Sequence, residues 1–126
     1  MEVAERELHR VLPVDEIPER GGVLAQVGDQ EIGIFKSDGV LHAYENRCIH
    51  QGGPVCTGEI LGKTTLVLND GGEVEREIED MSEMRLICPW HGWEYVLATG
   101  EVAHNHRLRL RRFEVLVENG IVYVRA

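Results

Sequence analysis

Two short stretches concentrate the metal-binding side chains of this sequence: Cys48-Ile49-His50 and Cys88-Pro89-Trp90-His91, spaced C-x-H and C-x-x-H. Together they offer two thiolates and two imidazoles, a full ligand set for one centre. Two Cys and two His suit tetrahedral zinc, yet structural zinc sites usually pair Cys with Cys and His with His. Here each stretch contributes one of each. That mixed order suits a dinuclear centre in which each loop gives its thiolate to one iron and its imidazole to the other. Spacing alone leaves both chemistries open.

Each pair follows directly on a hydrophobic run, 40–44 and 84–87, which places the ligands on two loops at strand ends. The surrounding pattern is that of strands. Short β-rich runs at 23–27 and 31–36 flank Gly28-Asp29-Gln30, and Ser37-Asp38-Gly39 turns the chain into a further strand over 40–45. A first strand is expected within 8–14, limited by Pro13 and Pro18. Residues 93–97 leave the second pair as a strand closed by Thr99-Gly100, and Asn119-Gly120 joins strands over 107–118 and 121–125. Such spacing predicts an all-β fold, a sandwich or barrel. No repeat, low-complexity tract or linker divides the chain, so 1–126 reads as a single domain.

The 37 residues between the pairs (51–87) carry most of the charge. Residues 70–83 hold seven acids (Asp70, Glu73, Glu75, Glu77, Glu79, Asp80, Glu83) against Arg76, or −6 of a net −9. A hairpin over 64–79, turning at Asp70-Gly71-Gly72, puts Glu73, Glu75, Glu77 and Glu79 on a solvent face and Val74 and Ile78 on the other. A helix would stack Glu73 on Glu77 and Glu75 on Glu79, which like-charge repulsion disfavours. The negative total argues against nucleic acid as a partner. No apolar run approaches the length of about 20 residues that spans a bilayer, and residues 1–10 show no signal-peptide core. A cytoplasmic location is expected. Three cysteines in a reducing compartment make no disulfide framework; clustered with His they indicate metal or catalysis.

The flanks discriminate between the metals. Cys48-Ile49-His50-Gln51-Gly52-Gly53-Pro54 with Cys88-Pro89-Trp90-His91-Gly92-Trp93-Glu94-Tyr95 closely resembles the Rieske [2Fe–2S] signature. The similarity reaches upstream through 33–46 and downstream through Ala98-Thr99-Gly100-Glu101 and the last hairpin, leaving out 1–7 and about 62–83. It is most like the Rieske-type ferredoxins of ring-hydroxylating dioxygenase systems. The resemblance implies an antiparallel β-sandwich with a small cluster-binding subdomain made of the two metal loops. It makes Cys48 and Cys88 the ligands of an inner iron and His50 and His91 those of an outer one. Two neutral imidazoles in place of two thiolates ease reduction and raise the potential above that of all-cysteine clusters. Gln51, Gly52, Gly53, Trp90, Gly92, Trp93 and Tyr95 would surround the cluster. The glycines let amide N–H groups approach the sulfides, and Pro54 and Pro89 stiffen the loops.

Where the chain departs from the family it narrows the expectation. High-potential respiratory members carry a disulfide cysteine in each loop and a serine two residues after the second histidine; this chain has Trp90 and Trp93, leaving Cys56 unpartnered. Tyr95 matches their tyrosine. A potential in the lower part of the range of about −150 to +300 mV is expected. The surplus at about 62–83 reads as an acidic insertion, either a solvated hairpin or an arm that steers basic partners. His104-Asn105-His106 stands where the family often has prolines, and is read as polar loop rather than ligands. Arg107, Arg109 and Arg111 read as the solvent face of a half-buried strand, His9 and His42 as structural, and Cys56 as a small buried hydrophobe.

The resemblance thus implies an electron carrier, not an enzyme, passing single electrons from a flavin-dependent reductase to a terminal oxygenase or other redox acceptor. No nucleic acid, membrane or small-molecule substrate is expected. A small Rieske-like subunit of another oxidoreductase, such as nitrite reductase, is the alternative; a zinc-binding interaction module is the non-redox one.

Overall fold

The computed structural model describes residues 7–48, 52–90 and 92–126. Expectations resting on His50, Gln51 and His91, and on the side chain of Cys56, lie outside them. Among the described residues, eleven strands build two antiparallel sheets, joined by loops and two single-turn 3-10 segments. They are β1 (Leu8–Pro13), β2 (Gly21–Val27), β3 (Gln30–Ser37), β4 (Val40–Glu45), β5 (Glu59–Leu68), β6 (Val74–Ile87), β7 (Glu94–Val96), β8 (Glu101–Val102), β9 (Asn105–Arg109), β10 (Arg112–Glu118) and β11 (Ile121–Arg125). The larger sheet runs β1-β11-β10-β4-β3-β2 and the smaller β5-β6-β7-β8-β9.

Turn residues set the pairing. Asp38-Gly39 and Asn119-Gly120 have positive φ at both positions (52° and 75°, 52° and 74°), the type I′ geometry whose twist matches that of the strands it joins. Asp and Asn tolerate it through short polar side chains, Gly through having none.

Strand alternation then serves two cores at once. Ile32, Ile34 and Ala43 face one way and pack with Phe113, Val122 and Val124. Phe35 and Tyr44, on the opposite face of the same strands, pack against Leu86 and Tyr95 of the smaller sheet and Leu97 in the turn after β7. The second core also contains Cys48 and Cys88, each 1% exposed. Tyr44 ties the sheets together: its hydroxyl donates to the Leu97 carbonyl at 2.6 Å, and burial pushes its pKa up to about 12 against the opposing Arg112 cation. Its ring lies so close to Gly100 that a Cβ there would sit 2.6 Å from Cε1. Gly100 also has φ +78°, so only glycine closes this contact.

Two expectations require correction. The run 107–118 is not one strand. β9 belongs to the smaller sheet and β10 to the larger, with the break at Leu110 and Arg111. Leu110 is pulled into the inter-sheet core and donates its N–H to Gly100, while the Arg111 carbonyl accepts from Glu45. Arg107, Arg109 and Arg111 are exposed, but so is Leu108, so β9 has no buried face. Arg111 instead lies over the Phe113 ring, 5.0 Å from its centroid.

The second correction concerns the hairpin between the metal loops, which is present as expected but is longer and has no covered face. β5 and β6 pair from Glu59↔Ile87 out to Leu68↔Val74, turning over Asn69, whose side chain accepts from the N–H groups of Gly71 and Glu73. Beyond Gly62 the pair extends as a two-stranded ribbon, and β7 pairs only with Arg85–Ile87 of β6. Val74 and Ile78 are 55% and 44% exposed, so neither side of the ribbon is a covered face. Opposite the Gly62–Lys63 step, β6 accommodates three extra residues, Met81, Ser82 and Glu83, a bulge that re-aims the ribbon.

Candidate metal centre

The two cysteine loops are built alike. The N–H of Cys48 donates to the Gly53 carbonyl, and the N–H of Cys88 to the Trp93 carbonyl, both at 2.8 Å and both across five residues. The first loop is drawn tighter by the Gly52 N–H on the Cys48 carbonyl at 2.7 Å. Each loop reverses through a glycine in the left-handed region, Gly52 at φ +74° and Gly92 at φ +68°. Cys48 follows β4 and Cys88 follows β6, so each cysteine hangs from the end of a core strand, as the sequence pattern required.

The fold brings both thiols together. They are close enough to hydrogen bond, and the hydroxyl of buried Tyr95 lies 2.9 Å from the Cys48 sulfur. Burial pushes the Cys88 thiol up, the Trp90 N–H pulls it down, and the Cys48 sulfur beside it pushes it up again. Two neighbouring sulfurs in an apolar core are poor thiolates unless a cation compensates them.

The space around them is shaped by what glycine leaves out. A Cβ on Gly53 would stand 2.9 Å from Trp90 Cγ and 3.0 Å from the Cys88 sulfur. On Gly58 it would collide with the Ile87 carbonyl, which fixes the first loop's exit against the strand that carries the second cysteine. The donor set and its cradle therefore fit a sulfur-ligated metal group held between the two loops.

Among the other expected residues, Trp93 is half-buried and packs on the inter-sheet core, whereas Trp90 is 49% exposed. Pro89, Gly52 and Gly92 are exposed, so the outer rim of both loops faces solvent. His104 meets the Trp93 ring edge-on, with centroids 5.4 Å apart. Spacing gave no hint of that contact; an aromatic beside the second loop was the available signal. His106 lies 3.5 Å from a Glu101 carboxylate oxygen. Among the described residues no three or more His, Cys, Asp or Glu side chains could hold a metal ion together. The His42 ring lies parallel to that of Tyr44, with centroids 6.5 Å apart, and burial followed by the Arg112 cation lowers its pKa. No helix among the described residues is long and apolar enough to cross a membrane.

Comparison with known proteins agrees with this geometry. The profile of the Rieske [2Fe–2S] domain matches residues 7–114, and the chain belongs to that family. A human Rieske domain-containing protein is 29% identical over 126 residues, covering 87% of this chain and 69% of the relative. A protein from Mycobacterium tuberculosis, taken to be an NADH-dependent nitrite reductase small subunit, superposes with TM-score 0.73 at 17% identity, over 98% of this chain and 97% of its own. The ferredoxin of carbazole 1,9a-dioxygenase from Nocardioides aromaticivorans gives 0.65 at 18% identity, over 94% and 96%. At such identities the two structures share the fold. The family's cofactor is one Rieske-type [2Fe–2S] cluster.

Proposed function

We propose that this protein is a one-electron carrier in which Cys48, Cys88, His50 and His91 hold the cluster. The observation that carries this reading is the meeting of two buried cysteines at the ends of matched loops. When bound, the cluster takes up and gives back a single electron. The chain's residues set the conditions. The two thiolates face the core, and the exposed Gly52, Gly92 and Pro89 around the histidines support an outward position for the imidazoles. That orientation shortens the path to a partner. Tyr95 donates its O–H to the Cys48 sulfur and favours the more negative, reduced state. Trp93 and the inter-sheet core keep water from the inner side, while the exposure of Trp90 supports a role in contacting a docking protein.

We further propose that the electrons come from a flavin-dependent reductase and go to a terminal oxygenase, on the pattern of the dioxygenase ferredoxin that shares the fold. The nitrite reductase small subunit shares it too. The complete Cys/His ligand set favours the carrier over that reading.

Analysis of iron and acid-labile sulfide, with an EPR spectrum of the reduced protein, tests the proposal. The expected result is iron and sulfide in equal amounts, roughly two of each per chain, and an EPR signal that appears when the protein takes up one electron. A colourless protein holding one zinc would overturn it.

A further inference from the structure

Beyond Gly62 and Met84 the β5–β6 hairpin becomes a ribbon, residues 63–80, that the matched metal loops do not need. Its composition is unusual for a solvated hairpin. Leu66, Leu68, Val74 and Ile78 are 51%, 55%, 55% and 44% exposed. Around them stand Asp70, Glu73, Glu75 and Glu77, with Arg76 as the cation among them. The acids nearer the body are engaged: Glu79 pairs with Arg20 at 2.7 Å and accepts from the Gly62 N–H, Asp80 accepts from Ser82 and faces Lys63, and Glu83 pairs with Arg85. Charge in the outer part therefore has little internal compensation. β5 is also an edge strand, so from Lys63 to Leu68 its outer main-chain groups are open for pairing.

Position matters as much as composition. Glu59 and Ile87 pair next to Cys88, so the metal loops lie at one end of the hairpin and the acidic tip at the other. Strands rise about 3.3 Å per residue, which puts the tip roughly 20–30 Å from the loops once the bulge is allowed for. Physiological salt screens exposed charges beyond about 8 Å. The ribbon's charges thus act locally and steer little at the loop face.

We infer that the ribbon is a second docking surface, which pairs its β5 edge with an extended basic segment of a partner protein. An alternating basic and apolar strand fits it, setting cations on the face that carries Glu75 and Glu77 and apolar side chains against Val67 on the opposite face, the one that carries Ile78. A second copy of this chain would bring like charges together, and nucleic acid or an anionic membrane would be repelled. The surface is second only in the sense that the carrier reading places the first at the metal loops; its binding chemistry does not depend on the cluster.

The test is NMR titration of the isotope-labelled, cluster-loaded protein with a short peptide alternating lysine and valine. Ribbon resonances remain visible because they lie far from the paramagnetic centre. Expected are shifts confined to 63–80, affinity that falls with salt, and a loss of about tenfold or more in E73Q/E75Q/E77Q. A control, E7Q/E16Q/E118Q, removes equal charge elsewhere and should bind as wild type. Shifts scattered over the body, equal loss in the control, no binding at low salt, or equal binding of a glutamate–valine peptide would each overturn the inference. Cluster content is read separately by EPR in every variant, so failure of the carrier reading and failure of the ribbon reading give different results.

Discussion

At the scale of single residues, Tyr95 and Gly100 do the most with the fewest atoms. The Tyr95 hydroxyl reaches the sulfur of Cys48 inside the core, where a hydrogen bond to a charged acceptor is stronger than in water. Reduction adds negative charge, so the bond favours the reduced form. Tyr95→Phe should lower the reduction potential. If the bond is about 1.4 kcal/mol stronger in the reduced state, the fall is about 60 mV for one electron. Protein-film voltammetry reads it, with the EPR signal as a check that the cluster remains; an unchanged potential would mean that Tyr95 does not tune it. Gly100→Ala places a methyl into the Tyr44 ring at a φ of +78°. Left-handed strain and overpacking together should cost about 2–4 kcal/mol, measured as a shift of the urea midpoint. The two cysteines that meet in the core, and Tyr95 beside them, were legible in the sequence because their chemistry is tied to residue type and short spacing. The closure of both loops across five residues was not, since a main-chain bond leaves no side-chain trace.

At the scale of elements, the Tyr44–Leu97 bond is a buried side-chain tie between the sheets. Tyr44→Phe keeps the ring's packing and leaves a buried carbonyl without its donor. A loss of about 1–3 kcal/mol follows, with the cluster's spectrum preserved. The ribbon's root supplies a pH effect. Glu79 is held below its usual value chiefly by the Gly62 N–H and then by Arg20, and Asp80 chiefly by Ser82. Native carboxyls that titrate lower than unfolded ones add stability above their ordinary values, 4.5 and 3.8; that contribution disappears as pH falls through the native values beneath them. In E79Q the Glu79 part of this dependence should vanish, so urea midpoints measured against pH should fall less steeply below about pH 4.5 than in wild type. Strands up to β4 were readable from two-residue alternation and Asp38-Gly39, as was the last hairpin from Asn119-Gly120. The division of 107–118 between two sheets was not. Leu110 continues the apolar alternation, and only its long-range bond to Gly100 shows that the strand has ended.

At the scale of the whole molecule, β3 and β4 lie between two cores, one wholly structural and one enclosing the thiols. Damage to either should be felt in both, so the body is expected to unfold as a unit, and the ribbon, with exposed side chains on both faces, to open first. Hydrogen exchange should show amides of 63–80 exchanging well before those of β3, β4 and β11. Comparable protection throughout would mean the ribbon is held by contacts absent from this fold.

The geometry of that ribbon also changes how far apart the two cysteines are. Forty positions separate Cys48 from Cys88 along the sequence, yet a hairpin closes on itself within microseconds and then behaves as a short staple. The chain entropy of bringing the thiols together depends on the shortened path around the staple's root, and grows only logarithmically with length in any case. Lengthening or trimming the tip at Asp70-Gly71-Gly72 should therefore leave the rate of site assembly almost untouched. That makes the tip a natural place to graft a fluorophore or an affinity tag.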